Sequence, residues 1–376
     1  MIQWGAIRKD FPVTENYVYF NHAGVSPLSK STMKAVKDYL AVISEHGITR
    51  EASLQFARVV QDTRSRIGEL INADSDEIAF IKNTTQGILI AANGIDWRMG
   101  DNVVTASTEF PANIYPWLNL ERRGVKTKFV QERDARIPLE EIERAIDHRT
   151  RAVAISFVEF ASGFRNDLES IGRICQEKGV FLVVDAIQGL GALDIDVKKC
   201  KIHMMSADGH KWLLGPEGTG CLYCSREILD KLVPNNVGWH SVINSSEYLD
   251  YDLTLRPDAR RFEEGSLNIM GIYALGAAVA QILDIGVQNI ETRVLALTHL
   301  AIQGLKEKGY QIVSSLIPAE RSGIVCFRSQ RHSSAELCQL LMDNRIVGAD
   351  RAQSVRVSPH FYNSEEEIER MMEVLP

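Results

Sequence analysis

Short apolar runs alternate with amphipathic segments along the first two thirds of the chain. The runs are rich in Val, Ile and Phe and have the length of buried strands. They span residues 78–81, 102–105, 152–157 and 180–185. The segments between them place apolar residues at helical spacing. They span residues 54–71, 138–146 and 167–178, and Gly179 follows at a position where helices commonly end. This alternation predicts an α/β fold with a mainly parallel sheet covered by helices.

The pattern changes after about residue 262. Long helical patterns are followed by short strand patterns and two further helices, which predicts a smaller α+β domain. The helical patterns span residues 270–283, 287–308, 335–344 and 365–374, and the strand patterns span residues 324–327 and 355–357. We therefore expect an N-terminal segment (1–20) that packs on the small domain. A large domain (21–265) and a small C-terminal domain (266–376) complete the expected organisation.

Composition and charge narrow the class of protein. Of the 376 residues, 45% are hydrophobic and 24% are charged, which is ordinary for a globular protein. The net charge of −7 favours neither nucleic acid nor an anionic membrane as a partner. The most apolar long stretch, residues 271–286, is short for a membrane span and carries polar residues. The first ten residues lack the pattern of a secretory signal, and the six cysteines are scattered. We expect reduced thiols and a cytoplasmic location.

A lysine in a glycine-rich setting is the most informative residue. Lys211 lies between His210 and Trp212 and precedes a glycine-rich turn, residues 215–220. Most lysines are solvated surface charges, but lysine is also the side chain that forms Schiff bases. Asp185 ends the apolar run at residues 180–185, so it lies at the sheet edge where α/β folds bind ligands. A helix-capping role for this aspartate is the structural alternative.

These segments, taken together and in this order, resemble the class V aminotransferase family of fold-type I pyridoxal 5′-phosphate (PLP) enzymes. The family includes cysteine desulfurases and isopenicillin N epimerase-like proteins. The resemblance extends from residues 19–24 to residues 356–363. It implies the fold-type I transferase fold, PLP as the cofactor and a small amino acid as the substrate.

The resemblance assigns the residues around the cofactor ring. Lys211 matches the lysine that forms a Schiff base with PLP, and Asp185 matches the carboxylate that pairs with the pyridine nitrogen. Both therefore match the family's catalytic residues. Gln188 matches a hydrogen-bond partner of the ring 3′-oxygen, and Phe110 takes the position of the residue that stacks on the ring, where cysteine desulfurases have histidine. Core packing is the structural alternative for Phe110.

The resemblance also assigns the phosphate contacts. Thr84 and Thr85 begin a helical pattern, where hydroxyl and backbone N–H groups suit a dianion, although capping alone would also explain them. His210 matches a further phosphate contact. Ser266 matches a residue that reaches the phosphate of the partner subunit, which implies a homodimer with shared active sites. Asp208 stands where many relatives have serine, and we leave it out of the site because a carboxylate would repel a phosphate.

On the substrate side, Arg356 matches the arginine that binds the substrate α-carboxylate through its two-pronged guanidinium. Its position within a strand pattern makes an unpaired surface charge unusual. Asn21 and His22 belong to the segment that closes over the substrate in this family, and we include both as candidate substrate contacts.

The reaction type is the weakest part of the sequence argument. Amino-group transfer is our first expectation, elimination at Cβ or Cγ, including cysteine C–S lyase chemistry, is the alternative, and epimerisation is third. Desulfurases carry a nucleophilic cysteine before the carboxylate-binding arginine, but residues 344–356 contain none. Phe160 takes the place of a ring-side asparagine of the desulfurases. Both differences disfavour a persulfide-forming desulfurase.

Two other classes of protein are disfavoured by the sequence. The presence of Lys211, Asp185 and Arg356 argues against a protein with this fold that only binds a partner. The glycine-rich turn at residues 215–220 follows the lysine and not a first strand, and it is not a GxGxxG motif, which argues against a nicotinamide oxidoreductase. Cys221 and Cys224 have CxxC spacing but lie in a strand pattern, so we expect no metal there.

Overall fold

The structure, a computed structural model, describes residues 2–376. The strands are β1 (Val18–Tyr19), β2 (Ile78–Ile81), β3 (Asn102–Ala106), β4 (Lys126–Val130), β5 (Thr150–Ser156), β6 (Phe181–Asp185), β7 (Met204–Asp208), β8 (Gly220–Cys224), β9 (Gln311–Ile312), β10 (Val325–Arg328), β11 (Ile346–Val347), β12 (Ala349–Arg351) and β13 (Ser354–Val357). The helices are α1 (Trp4–Arg8), α2 (Lys30–His46), α3 (Arg50–Ile71), α4 (Thr84–Gly94), α5 (Tyr115–Leu118), α6 (Leu139–Ala145), α7 (Leu168–Lys178), α8 (Arg226–Leu229), α9 (Ile269–Ile285), α10 (Val287–Glu307), α11 (Ser334–Asp343) and α12 (Glu365–Val374).

A seven-stranded sheet forms the centre of the large domain. Its strand order is β2-β8-β7-β6-β5-β3-β4, and β3 to β7 run parallel where they pair with one another. Strand β8 alone pairs antiparallel with its neighbours, β7 and β2. Strands β3 and β7 are buried at every position, as expected for strands covered by helices on both faces. The predicted α/β fold is confirmed.

Local capping explains why the flanking helices begin and end where they do. The side chain of Thr49 accepts a hydrogen bond from Ala52 N at the start of α3, and Asn72 ends this helix in a left-handed conformation. Asp167 caps α7 in the same way. Gly179 ends α7 with a φ of 66°, a conformation that glycine adopts without the steric cost of a Cβ atom. The expected end of this helix is therefore confirmed.

A second, antiparallel sheet organises the small domain, with the strand order β12-β13-β10-β9. Helices α10, α11 and α12 share a buried apolar cluster with this sheet. The N-terminal segment joins the small domain through a separate two-stranded sheet, in which β1 pairs in parallel with β11. Arg8 donates to Glu367 of α12 across 2.6 Å, so both ends of the chain meet on this domain.

Helix α9 packs against α2 and α3, and its buried face lies mostly in the core of the large domain. The helical cover of the large domain thus extends beyond residue 265, where the sequence placed the domain boundary. Among residues 2–376, no single helix is long and apolar enough to cross a membrane. Helices α9 and α10 reach that length and composition only as a pair, and the pair is bent by 82°.

Candidate active site

Parallel strands β6 and β7 bring Asp185 and the segment of Lys211 to one edge of the sheet. Asp185 is the last residue of β6 and lies opposite Ser206 of β7. The Asp185 side chain is buried, and its Oδ1 accepts a hydrogen bond from Ile187 N at 3.0 Å. Lys211 follows three residues after the end of β7 and is half-buried. An acid and an amine therefore face a common space at the carboxyl ends of the strands.

Burial changes the protonation of both groups. Burial raises the pKa of Asp185 to about 6, although the charge of Lys211 opposes this shift. Burial also lowers the pKa of Lys211 to about 8, and Asp185 opposes that change as well. A substantial share of neutral amine is therefore present near pH 8, which is the form that reacts with an aldehyde or accepts a proton.

Two aromatic rings lie beside the lysine. The centroid of the Phe110 ring lies 5.6 Å from Lys211 Nζ, and 44% of this side chain is exposed. The Phe160 ring packs edge-on against Phe110 with a centroid distance of 5.2 Å. An exposed phenyl ring at this place offers a flat apolar surface on which a planar cofactor ring can stack.

The N-terminus of α4 faces the same edge of the sheet. Asn83 Oδ1 accepts from Gln86 N at 2.9 Å and caps the helix. Thr84 Oγ1 accepts from Asp208 N at 3.0 Å, and Ser206 Oγ donates to Thr84 O at 2.9 Å. These bonds fix the helix start against the end of β7. Its first N–H groups have no partner within the helix, and with the half-buried Thr85 they form a site suited to a phosphate.

The side chain of Asp208, which the sequence analysis left out of the site, lies beside His210. Asp208 Oδ1 accepts from Gly209 N at 2.7 Å, and its Oδ2 lies 3.0 Å from His210 Nδ1. His210 Nδ1 forms no hydrogen bond among the described residues, so the carboxylate lies close to the imidazole without being hydrogen-bonded to it.

The segment from Asn21 to Ser26 covers the site. Ser26 N donates to His210 O at 2.7 Å. Gln188 Nε2 donates to Ala23 O at 3.0 Å, and Gln188 Oε1 accepts from Trp212 Nε1 at 3.2 Å. Gln188 is therefore fixed between the cover and the lysine segment. Asn21 Oδ1 is buried without a hydrogen-bond partner in the described part of the chain, so Asn21 retains an acceptor.

His22 is not presented to a substrate. Its side chain is fully buried. Nδ1 lies 2.7 Å from Ser358 O, and Nε2 lies 2.6 Å from the hydroxyl of Tyr362. Burial holds the pKa of His22 well below its usual range, so the ring is neutral. The structure thus gives His22 a role in joining the N-terminal segment to the small domain and does not support the expected substrate contact.

Arg356 projects from β13, and its side chain is buried. Its Nη1 donates to Phe160 O at 3.0 Å, whereas its Nε is buried without a partner among the described residues. Burial lowers the pKa of this guanidinium to about 10, so it remains charged at neutral pH. A buried cation with an unused donor is suited to binding a carboxylate.

Ser266 lies near the start of α4 in its own chain. It is exposed in the loop between Glu263 and α9, and it lines a cavity of about 330 Å³ together with Lys82 and Gln86. The loop is anchored because Glu263 forms a buried salt bridge of 2.8 Å with Arg64. Lys211 does not line this cavity, so the structure of one chain does not show a contact between Ser266 and Lys211.

Sequence reasoning missed two buried carboxylates behind Asp185. Glu109 accepts from Ser156 N at 2.6 Å and from Ser156 Oγ at 2.5 Å. Glu159 Oε1 accepts from Asn166 Nδ2 at 2.8 Å, and its Oε2 is buried with no partner in residues 2–376. Burial raises the pKa of Glu109 to about 7 and that of Glu159 well above its usual range. Each precedes a phenylalanine, Phe110 or Phe160, after the end of a buried strand, which is the signal that the sequence offered.

The residues present fit PLP. A buried acid for a ring nitrogen, an amine of lowered pKa for an aldehyde and an exposed phenyl ring for stacking lie at one edge of the sheet. The capped start of α4 and His210 supply donors for a phosphate. The family model for class V aminotransferases matches residues 18–371. The chain belongs to the class V aminotransferase family. Members of this family use PLP as their cofactor.

Three similar proteins carry names of two kinds: two are named cysteine desulfurases and one is named an aminotransferase. A protein of Methanothermobacter thermautotrophicus, named a probable cysteine desulfurase, is 32% identical over 98% of this chain and 96% of its own. The Bacillus subtilis protein YcbU, named an uncharacterised aminotransferase, is 28% identical over 96% and 94%. The apo structure of a cysteine desulfurase from Thermococcus onnurineus NA1 superposes with a TM-score of 0.91 at 27% identity, covering 100% of this chain and 97% of the other.

Proposed function

We propose that this class V enzyme is a PLP-dependent C–S lyase that acts on cysteine or a cysteine derivative. It eliminates the sulfur directly and does not transfer it to a cysteine of its own. The names of the relatives support a sulfur-bearing amino acid as the substrate, in place of the amino-group transfer that the sequence analysis put first. One observation supports elimination without a protein persulfide: the short hairpin that leads to Arg356 carries no cysteine.

The six thiols are poorly suited to carrying sulfur. Four of the cysteines are buried, and Cys200 and Cys338 are partly buried. Burial raises the pKa of every one of the six, to about 11 for Cys338 and about 12 for Cys326. Cys326, opposite Arg356 in the small sheet, donates to Ala161 O at 3.3 Å and lies within β10. Sulfur transfer requires an accessible thiolate, whereas these cysteines are buried or partly buried and remain protonated at neutral pH.

The side chains of the site have distinct tasks in this proposal. PLP, when bound, supplies an electron sink for the negative charge that develops at the substrate Cα. Asp185 stabilises positive charge on the pyridine nitrogen, and Phe110 holds the ring plane. Arg356 binds the α-carboxylate and so fixes the orientation of the Cα–H bond. Lys211 Nζ accepts the Cα proton and holds it close to the departing sulfur.

The overall reaction that we propose is balanced for cysteine. Cysteine and water give pyruvate, ammonia and hydrogen sulfide: the Cα–H and Cβ–S bonds break, and hydrolysis releases the nitrogen. The PLP-loaded protein incubated with L-cysteine should form sulfide, pyruvate and ammonia in equal amounts, with no alanine. A variant with Cys326→Ala and Cys338→Ala should retain this activity.

Other product sets would overturn the proposal. Alanine with protein-bound persulfide would identify a desulfurase, and the cysteine variants would then locate the carrier. A keto acid formed without ammonia, and only with an amino acceptor, would identify an aminotransferase, as the name of YcbU suggests. Inversion at Cα without net bond cleavage would identify an epimerase.

We also propose that the protein works as a homodimer with shared active sites. Ser266 is exposed, and Lys211 does not line the cavity beside it. The nearby segment 237–253 exposes large apolar side chains, among them Trp239 at 50% and Tyr251 at 91%, which would favour burial against a second copy. Sedimentation should show a dimer, and Tyr251→Asp should favour the monomer and weaken PLP binding. A wild-type monomer with full activity would contradict this.

A further inference from the structure

Resting on the proposed function, we infer that Arg351 is a second anion-binding residue of the active site. The preferred substrate would then be a cysteine conjugate whose sulfur substituent ends in a carboxylate or a similar anion. Arg351 lies at the end of β12, beside the turn that leads to Arg356.

The hairpin register places the two arginines on one face. Arg351 pairs with Ser354, and Ala349 pairs with Arg356. Paired residues of an antiparallel hairpin share a face, and so do residues two apart on one strand. Arg351 therefore projects from the face that presents Arg356 to Phe160 O. The hairpin register therefore fixes the face from which both side chains project.

The turn keeps this register. Ala352 and Gln353 both have positive φ values, 48° and 59°. Such values are typical of two-residue turns whose twist matches that of the flanking strands. The segment is therefore a short, twisted hairpin and not a long loop. Because side chains other than glycine enter this region at a steric cost, the surrounding structure must hold the turn in place.

Arg351 has no anionic partner of its own in the structure. Its guanidinium donates to Asp350 O at 3.2 Å and forms no ion pair within residues 2–376. The neighbouring Asp350 lies on the other face of the hairpin, where its Oδ1 accepts from Ser334 Oγ at 2.8 Å. An exposed guanidinium is thus left free at the substrate side of the site.

The positive charge of Arg351 acts on the other two cations of the site. It lowers the pKa of Lys211 and also that of Arg356, in both cases as a smaller contribution than burial. Asp185 and Asp208 are the acids that act on Lys211 from the sheet side. Three cations near one space repel each other, and a substrate with two separated anionic groups would relieve this repulsion.

The two arginines then divide the recognition of the substrate. Arg356 binds the α-carboxylate, as in the proposed function, while Arg351 binds the anion at the far end of the sulfur substituent. Free cysteine carries no such terminal anion. For S-carboxymethylcysteine the balanced reaction with water gives thioglycolate, pyruvate and ammonia.

A near-isosteric pair of ligands tests this inference. S-carboxymethyl-L-cysteine and S-carbamoylmethyl-L-cysteine differ mainly in the charge of the terminal group. Their dissociation constants are measured on the PLP-loaded protein from the first change of cofactor absorbance, before products accumulate. The wild type should bind the anionic ligand about five- to tenfold more tightly, and added salt should reduce this preference.

Matched variants complete the experiment. Arg351→Gln should abolish the preference, Arg351→Lys should keep part of it, and Arg331→Gln, at another exposed arginine of the small domain, should leave it unchanged. Equal binding of both ligands by the wild type would overturn the inference. Equal weakening of both ligands by Arg351→Gln would also overturn it, because Arg351 would then serve the α-carboxylate or the cofactor phosphate. Because binding is measured before turnover, the experiment still tests whether Arg351 binds the anion if the C–S lyase proposal fails.

Discussion

The two sides of the active site differ in how they are built. The cofactor side, defined by Asp185, Lys211 and the start of α4, is made from the ends of buried parallel strands and one capped helix. The substrate side, defined by the β12–β13 hairpin, is made from two short strands and a turn at the edge of a small sheet. The cofactor side keeps the acid, the lysine and the capped helix start that the family resemblance predicts, whereas the substrate side lacks the cysteine of the desulfurases.

This difference indicates where the specificity of the protein lies. The chemistry of the cofactor requires a buried acid and a desolvated lysine, and a parallel sheet supplies both at fixed positions. The outer strand of the hairpin, β12, is half-buried to exposed, so a reactive cysteine can be exchanged for a charged side chain there at small cost. We therefore expect changes on the cofactor side to abolish reactivity and changes on the hairpin to redirect it.

The largest effect is expected for Lys211→Ala. Without the amine, no group remains to form the Schiff base or to accept the Cα proton, so kcat should fall by at least about a thousandfold. The absorbance band of the bound cofactor should be lost or shifted. Lys34→Ala, at an exposed lysine of α2, is the control and should behave as the wild type. An unchanged spectrum in Lys211→Ala would show that Lys211 does not form the Schiff base with the cofactor.

Arg356→Gln tests the substrate side at its most buried point. Loss of a buried guanidinium that binds a carboxylate should raise KM for amino acids by at least about thirtyfold, with a smaller effect on kcat. Arg356→Lys should recover part of the affinity because it keeps the charge but not the two-pronged geometry. If KM does not change while kcat falls, Arg356 supports the hairpin and does not bind substrate.

The sequence predicted the cofactor side better than the substrate side, and the reason is physical. Strand β2 agrees with the predicted run at every residue, and β6 agrees to within one, because buried strands are continuous apolar runs with sharp ends. Asp185 ends such a run and could be recognised from it, whereas Lys211 was recognised from the glycine-rich turn that follows it, because no predicted run covers β7. Strands β11 and β12 have only two or three residues and show no pattern of their own.

Contacts between side chains were the second feature that the sequence could not predict. His22 was expected at the substrate, but its position depends on Tyr362, a contact between residues 340 apart in the chain. Glu159 escaped notice because a single glutamate after a strand is normally solvated. Only the folded chain shows that Asn166 and Ser156 enclose it with Glu109.

Glu159→Gln should make the protein more stable at alkaline pH. Burial raises the pKa of Glu159 well above the unfolded value of about 4.3, so the folded state holds the proton more tightly and stability falls as pH rises above that value. The amide removes this dependence, and the variant should gain at least about 1 kcal/mol at pH 8 while equalling the wild type near pH 4. Urea unfolding at several pH values measures the difference, with Glu143→Gln on the exposed face of α6 as the control. A pH-independent difference would indicate a packing effect alone.

The smallest effect is expected for a substitution in the turn of the β12–β13 hairpin. Gln353→Gly should stabilise the protein by about 0.5–1 kcal/mol, because glycine adopts the φ of 59° without steric cost. Thermal unfolding measures the gain, and Gln339→Gly within α11 should instead destabilise the protein. If the hairpin is a fixed support for Arg351 and Arg356, Gln353→Gly leaves kcat and the preference for the anionic ligand unchanged. If the hairpin must move during turnover, as a sulfur-carrying loop must, a better-fitting turn should lower kcat, and the substrate side would then differ from the cofactor side in mobility as well as in composition.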